Sequence, residues 1–256
     1  MKLTENTILI TGGGSGIGRG LAEAFFALGN KVIIAGRRQS ALDETTAANP
    51  GMASVVLDIE NAEAVRKSVA EITAAHPGLN VLINNAGIAR QEDPKAPSDD
   101  LADVEAMYST NVFGPMRLTA ALLPHLRKQP RAAILNVTSG LAFVPFPALP
   151  TYSATKAALH AYTVALRVNL KGTPVEIIEI IPPYVQTHFG GPSQAVDPRA
   201  MPLKDFISET MQTLGEPGVT ESCVERVKAL RFAEATGSYD QMLEVLSQMA
   251  LDPSHP

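Results

Sequence analysis

The sequence predicts an α/β chain built on a doubly wound parallel sheet, with helices on both faces and a helical C-terminal tail. Three observations carry this. Up to Ile181, short runs rich in β-branched residues alternate with longer amphipathic runs. The short runs are apolar throughout, the pattern of strands covered on both sides. A glycine-rich turn joins the first such run to the first amphipathic one, and right-handed crossovers between the strands complete a doubly wound, Rossmann-like arrangement.

The elements follow in order. Thr7–Thr11 (T-I-L-I-T) reads as a buried strand and Ile17–Gly29 as a helix with a glycine stop. Lys31–Ala35 is a second strand, Ser40–Asn49 a short helix, and Ser54–Asp58 a third strand. A helix from about Ala62 to Ala75 leads to a fourth strand, Val81–Asn85. The region from Asp99 to about Arg127 reads as helical, with Pro115 and Pro124 expected to bend or interrupt it. Ala133–Ser139 is a fifth strand, a long helix opens at Pro150, and Val175–Ile181 is a sixth strand. Beyond Pro182 the texture changes. His188 to Pro202 is rich in Gly, Pro and Ser, and helical segments are expected at Leu203–Leu214, Thr220–Ala235 and Tyr239–Met249. We read residues 1–256 as a single domain, with 188–216 as a mobile segment covering the substrate.

Composition narrows the function. Apolar residues make up 45% of the chain and charged residues 18%, as suits a large core and not a disordered chain. The net charge of −5 gives no reason to expect nucleic-acid binding. One cysteine, Cys223, cannot form a disulfide within the chain and fits a reducing compartment. The five histidines are scattered away from metal-ligand spacing, so no metal site is expected. The N-terminal run is too short and polar for a signal peptide, and no stretch could span a membrane. A cytoplasmic protein is the expectation.

Two features point to a dinucleotide. The loop T-G-G-G-S-G-I-G, Thr11–Gly18, stands where a phosphate site needs it: glycines admit a tight turn and close approach, and the following helix N-terminus offers N–H donors and partial positive charge. Gly12, Ser15, Gly16 and Ile17 are its candidate contacts. At the end of the second strand, where an acid often holds the adenine ribose, the chain has A-G-R-R instead. Arg37 and Arg38 offer planar forks suited to a 2′-phosphate, which favours NADP(H). Separately, Tyr152 and Lys156 lie four residues apart in P-T-Y-S-A-T-K, so they share one helix face. Taken alone, that pair reads as a tyrosine packed on the core beside a surface lysine.

The chain resembles the short-chain dehydrogenases/reductases, in their compact branch. The matching pieces are T-G-G-G-S-G-I-G, L-D-I at Leu57–Ile59, N-N-A-G at Asn84–Gly87, Asn111, Ser139 and Y-S-A-T-K at Tyr152–Lys156. The resemblance implies that Tyr152 exchanges a proton with the substrate oxygen. It implies that Lys156 favours the phenolate and holds the nicotinamide ribose, that Ser139 hydrogen-bonds the reacting oxygen, and that Asn111 anchors a water. Asp58 and Ile59 would meet adenine, and Asn85, Ala86 and Gly87 would line the dinucleotide. Val185 and Thr187 would face the nicotinamide amide.

Two departures from the family pattern stand out. P-P-Y-V-Q-T at Pro182–Thr187 has Pro183 where the family commonly has glycine, and the tail shows no β-rich run for the family's seventh strand. The expected function is hydride transfer between NADP(H) and a carbonyl or alcohol, with the apolar Leu141–Pro147 and Phe189 favouring an apolar substrate. A non-catalytic NADP(H)-binding sensor and an NAD(P)-dependent epimerase or dehydratase are the alternatives. Small alanines and apolar outer faces on the Tyr152 helix call for a second partner, and the resemblance implies that it is the same helix of another subunit, with the helix around Val104–Leu123 packed beside it, giving a homodimer. With the seventh strand missing, assembly is expected to stop there.

Overall fold

The computed structural model describes residues 1–92 and 100–251. Among these, seven parallel strands form one sheet in the order β3-β2-β1-β4-β5-β6-β7. They are β1 (Thr7–Thr11), β2 (Lys31–Gly36), β3 (Ala53–Val56), β4 (Leu79–Asn84), β5 (Ala132–Val137), β6 (Val175–Ile181) and β7 (Glu221–Cys223). The order reverses between β1 and β4, which opens a crevice at the carboxyl ends of those strands.

The apolar strands face two separate cores because successive side chains point to opposite sides. On one face Ile8 and Ile10 pack with Leu21 and Phe25 of α1 (Gly16–Ala27) and Phe206 of α7 (Leu203–Leu214). On the other, Leu9 and Ile33 pack with Val65, Val69 and Ile72 of α3 (Ala62–Ala75) and Leu118, Leu122 and Leu126 of α5 (Gly114–Leu126). Each such fully buried side chain contributes roughly 1.5–3 kcal/mol. The remaining helices are α2 (Gln39–Ala48), α4 (Ala102–Tyr108), α6 (Pro150–Asn169), α8 (Lys228–Arg231) and α9 (Tyr239–Leu251). No helix among the described residues is long and apolar enough to cross a membrane.

Most predicted elements stand within a few residues of their expected bounds, and two readings are corrected. The region expected as one helix from Asp99 is α4, a wider π-type turn at Ser109–Phe113, and α5; residues 93–99 lie outside the described set. Pro115 sits in the first turn of α5, where its missing N–H costs nothing, whereas Pro124 is accommodated inside the helix.

The second correction concerns the tail. The expected helix at Thr220–Ala235 begins as strand β7, so the seventh strand is present. It pairs in parallel with β6 through Glu179↔Glu221, Ile180↔Ser222 and Ile181↔Cys223, and the amide of Glu179 donates to the Thr220 carbonyl at 3.0 Å. The exposed ladder groups of β6 require such a partner. The argument that assembly stops at two subunits for want of this strand therefore falls.

Candidate active site

A cleft of about 1500 Å³ runs along the carboxyl ends of the strands. At one end lies the glycine loop. Gly12 takes the left-handed conformation, φ 67°, and its amide donates to the Ala35 carbonyl at 2.7 Å. A Cβ on Gly18 would stand 2.3 Å from the Gly12 carbonyl oxygen, so the loop can lie down on the first turn of α1 only with glycine there. Ser15 precedes that turn in extended conformation, and its side chain makes no capping bond. The first N–H groups of α1 are left without a side-chain cap.

Thr11 ties the loop to β4. Its hydroxyl accepts from the amides of Asn85 (3.0 Å) and Ala86 (3.1 Å), and the Asn85 side chain donates to the Thr11 carbonyl at 2.9 Å. Asn85 thus braces the loop from behind. Gly16, Ile17, Asn85, Ala86 and Gly87 all border the cleft.

Arg37 and Arg38 also border it, at the end of β2. Arg37 Nη1 pairs with Glu60 Oε1 at 3.0 Å, and the same oxygen accepts from the Thr110 hydroxyl at 2.7 Å. Arg38 Nη2 reaches the Ser15 hydroxyl at 3.4 Å. Asp58 and Ile59 line the cleft beside them, and Asp58 Oδ1 accepts from the Glu60 amide at 3.0 Å.

The other end holds Ser139, Tyr152 and Lys156. Pro150 in the first turn of α6 fixes the helix start, which sets Tyr152 and Lys156 one turn apart. Lys156 Nζ lies 5.6 Å from the centroid of the Tyr152 ring and donates to the Val137 carbonyl at 2.9 Å. Ser139 follows β5; its hydroxyl accepts from the Leu141 amide at 3.1 Å and lies close enough to the Tyr152 phenol to act on it. Burial pushes the Tyr152 phenol well above its ordinary range, and the Ser139 hydroxyl pulls the other way. Burial also lowers Lys156 to about 8, against the opposing charge of Glu179. Desolvation, more than the charge of Lys156, governs the phenol in the protein alone.

A glycine-rich loop at a helix N-terminus and a buried serine–tyrosine–lysine cluster thus share one cleft. The family model for short chain dehydrogenases matches residues 6–196. The chain belongs to the short-chain dehydrogenase family. It is 40% identical over 251 residues to an uncharacterized oxidoreductase, DltE, of Bacillus subtilis, covering 96% of this chain and 98% of that one. It is 37% identical over 200 residues to serine 3-dehydrogenase of Agrobacterium fabrum, covering 75% and 79%. In three dimensions it resembles a short chain dehydrogenase of Burkholderia cenocepacia in complex with NADP, with a TM-score of 0.81, 26% identity, and 96% and 100% of the two chains covered.

In this short-chain dehydrogenase one expected residue stands apart. Asn111 is fully buried in the π-type turn and does not reach the cleft wall. Its side-chain amide donates to the Ile88 carbonyl (2.8 Å) and the Thr155 hydroxyl (3.1 Å), and its oxygen accepts from the Ile88 amide (2.8 Å). That side chain pins the segment after Gly87 to α6.

Val185 and Thr187 line the cleft after β6, both buried. Sequence reading missed what holds them. Gln194 is buried, and its amide nitrogen donates to the Val185 carbonyl (2.7 Å) and the Thr187 hydroxyl (3.2 Å), while its oxygen accepts from the Gly190 amide (2.7 Å). A lone glutamine in a Gly/Pro-rich stretch gives no periodic signal. Tyr184, which follows Pro183, directs its hydroxyl to Asp197 Oδ2 at 3.3 Å. Phe189 lies against Tyr152, ring centroids 5.7 Å apart. Leu141, Phe146, Leu149, Leu230, Leu246 and Met249 complete an apolar wall, the last two contributed by α9.

Proposed function

We propose that this enzyme transfers hydride between NADP(H) and the carbonyl or alcohol carbon of an apolar small molecule. The observation that carries the reading is the buried Tyr152 phenol beside the buried Ser139, with Lys156 one turn away, opening onto an apolar wall. NADP(H) supplies the hydride when bound. The residues present fit it: a glycine cradle that a Cβ at position 18 would fill, uncapped N–H groups on α1, and two arginines at the end of β2. The NADP complex of the Burkholderia relative supports the same choice.

In this reading Gly12, Ser15, Gly16 and Ile17 receive the diphosphate, and Arg37 and Arg38 the 2′-phosphate. Asp58 and Ile59 meet adenine. Asn85, Ala86 and Gly87 flank the dinucleotide, and Val185 and Thr187 meet the nicotinamide amide. Ser139 holds the substrate oxygen. Tyr152 Oη gives that oxygen a proton in reduction and takes it back in oxidation. A desolvated phenol above its ordinary range keeps its proton until the developing negative charge on the substrate oxygen draws it away. Lys156 supplies the positive charge that stabilises the phenolate left behind, and Asn111 positions the chain beside it.

Residues 188–216 are the covering segment: Phe189 meets the reacting end, Gln194 fastens the loop, and α7 is its packed base. Phe113 (48% exposed), Val164 (38%) and Val168 (57%) are large apolar residues left open on the outer side of α6 and beside α5, which supports a homodimer through these helices. The single half-buried cysteine supports a cytoplasmic location. A panel of ketones, aldehydes and secondary alcohols, read at the NADPH absorbance with NADH beside it, tests the reading. Against a responding substrate, Tyr152→Phe should lower turnover by roughly 10²–10⁴-fold while NADPH binding survives. Near wild-type turnover in that variant would remove Tyr152 from the mechanism.

A further inference from the structure

Behind the reacting end lies a carboxylate that the hydride reading does not use. Glu179 on β6 is completely buried. Its Oε1 accepts from the Thr138 hydroxyl at 2.6 Å, and His160 Nδ1 lies 2.8 Å from Oε2 and 3.0 Å from Oε1. A carboxylate only accepts, so Nδ1 carries the proton in this pair. His160 is one turn beyond Lys156, so Tyr152, Lys156 and His160 form a row on one face of α6. Thr138 stands between Val137, whose carbonyl receives Lys156, and Ser139.

Burying a carboxylate costs several kcal/mol unless it is paired and hydrogen-bonded. In this fold the groups that satisfy it converge on the strand end next to the reacting cluster. We propose that Glu179 is a positioning residue for this site: held by His160, it anchors Thr138 and so fixes the Val137–Ser139 strand end, and it provides the buried counter-charge to Lys156. This rests on the proposed roles of Ser139, Tyr152 and Lys156.

The surrounding charges are few. His160 contacts Glu179 from α6, Lys156 feels its charge from one turn earlier on the same helix face, and Arg231 acts on it from α8. Glu221 on β7 holds Arg231 through two bonds of 2.8 and 2.9 Å and also feels His160 and Arg167. Arg231 is therefore largely neutralised by Glu221. The net partner left for the Glu179 charge on the site side is Lys156, whose ammonium it favours against burial.

Glu179→Gln keeps the shape and an acceptor for Thr138 but removes the charge. In protein labelled with carbon-13 at the lysine side chains, and with Lys156→Arg used to assign the signal, the Lys156 titration should move down by about one pH unit in Glu179→Gln. At pH 8 that is a roughly fivefold loss of charged lysine, and the alkaline limb of kcat should move with it. Thr138→Val should lower kcat several-fold without moving the limb or the NADPH KM, and Thr138→Ser should restore it. An unmoved lysine signal in folded Glu179→Gln overturns the counter-charge. A moved signal with an unmoved limb overturns its link to turnover. Full kcat in Thr138→Val overturns the anchor, and that variant decides the matter if Glu179→Gln does not fold. The lysine titration needs no substrate, so it scores the counter-charge even if Tyr152 proves dispensable for turnover.

Discussion

The preference for NADPH over NADH should depend on Arg37, by less than an isolated arginine would give. A charge-assisted hydrogen bond to a phosphate is worth about 1.5–3 kcal/mol. Arg37 is already engaged: its guanidinium is 3.0 Å from Glu60, with side chains 55% and 27% exposed. A pair that open to solvent is worth about 0.2–1 kcal/mol, and turning to the phosphate forfeits part of it. The net for Arg37 is then about 1–2 kcal/mol, or a roughly fivefold to thirtyfold loss of NADPH affinity in Arg37→Ala. NADH affinity should hardly change. Glu60→Gln frees the arginine and removes a negative charge near the phosphate, so it should tighten NADPH. Thr110 still finds an acceptor on the glutamine. Titration calorimetry of both cofactors against wild type, Arg37→Ala and Glu60→Gln measures all of this. Equal losses for NADPH and NADH in Arg37→Ala, or weaker NADPH binding in Glu60→Gln, would refute the reasoning.

Three further outcomes are expected. Gly18→Ala places a Cβ 2.3 Å from the Gly12 carbonyl and 2.4 Å from the Asn85 amide nitrogen; overpacking of about 1–3 kcal/mol exceeds any gain in helix propensity, so Tm should fall by several degrees and NADPH should bind less tightly, as thermal melts with and without cofactor will show. Because burial holds Lys156 down to about 8, it carries its charge below that pH and loses it above, so kcat should be level on the acid side and decline on the alkaline side; a rate still climbing at pH 10 would contradict this. Val164→Asp with Val168→Asp puts charge on the exposed apolar face of α6, and the proposed interface requires sedimentation equilibrium to find dimers for the wild type and monomers for the variant; equal masses would refute it.

The sequence carried the sheet as far as β6 because each strand to that point is a run of apolar, β-branched residues. It did not carry β7. Glu-Ser-Cys has no strand character of its own, and its geometry comes from the open edge of β6, a partner that lies forty residues away in the chain. The same distinction runs through the site. Thr11–Gly18 and Tyr152–Lys156 are local patterns, and a local spacing puts each on its loop or helix face. Gln194, Glu60 and Glu179 act through partners on other elements, so nothing beside them in the chain marks them. Asn111 was legible as a site candidate, but its bonds to Ile88 and Thr155 were not, because they depend on a widened helical turn that aims its amide inward. Arg37 was legible as a cation at the end of β2, and its pairing with Glu60 was not.

The two sides of the cleft are made of different material. The nucleotide side is backbone, glycine and polar side chains braced on central strands, where Thr11 alone links β1 to two amides beyond β4. The substrate side ends on Leu246 and Met249 of α9, which packs with Val144, Phe146 and Ala233 in a small cluster set apart from both large cores. Few buried groups depend on that helix, so its sequence is free to drift without endangering the sheet or the cradle. Repertoire and chemistry are thereby decoupled: a lineage could exchange this wall to accept a different guest while inheriting the hydride-transfer machinery intact.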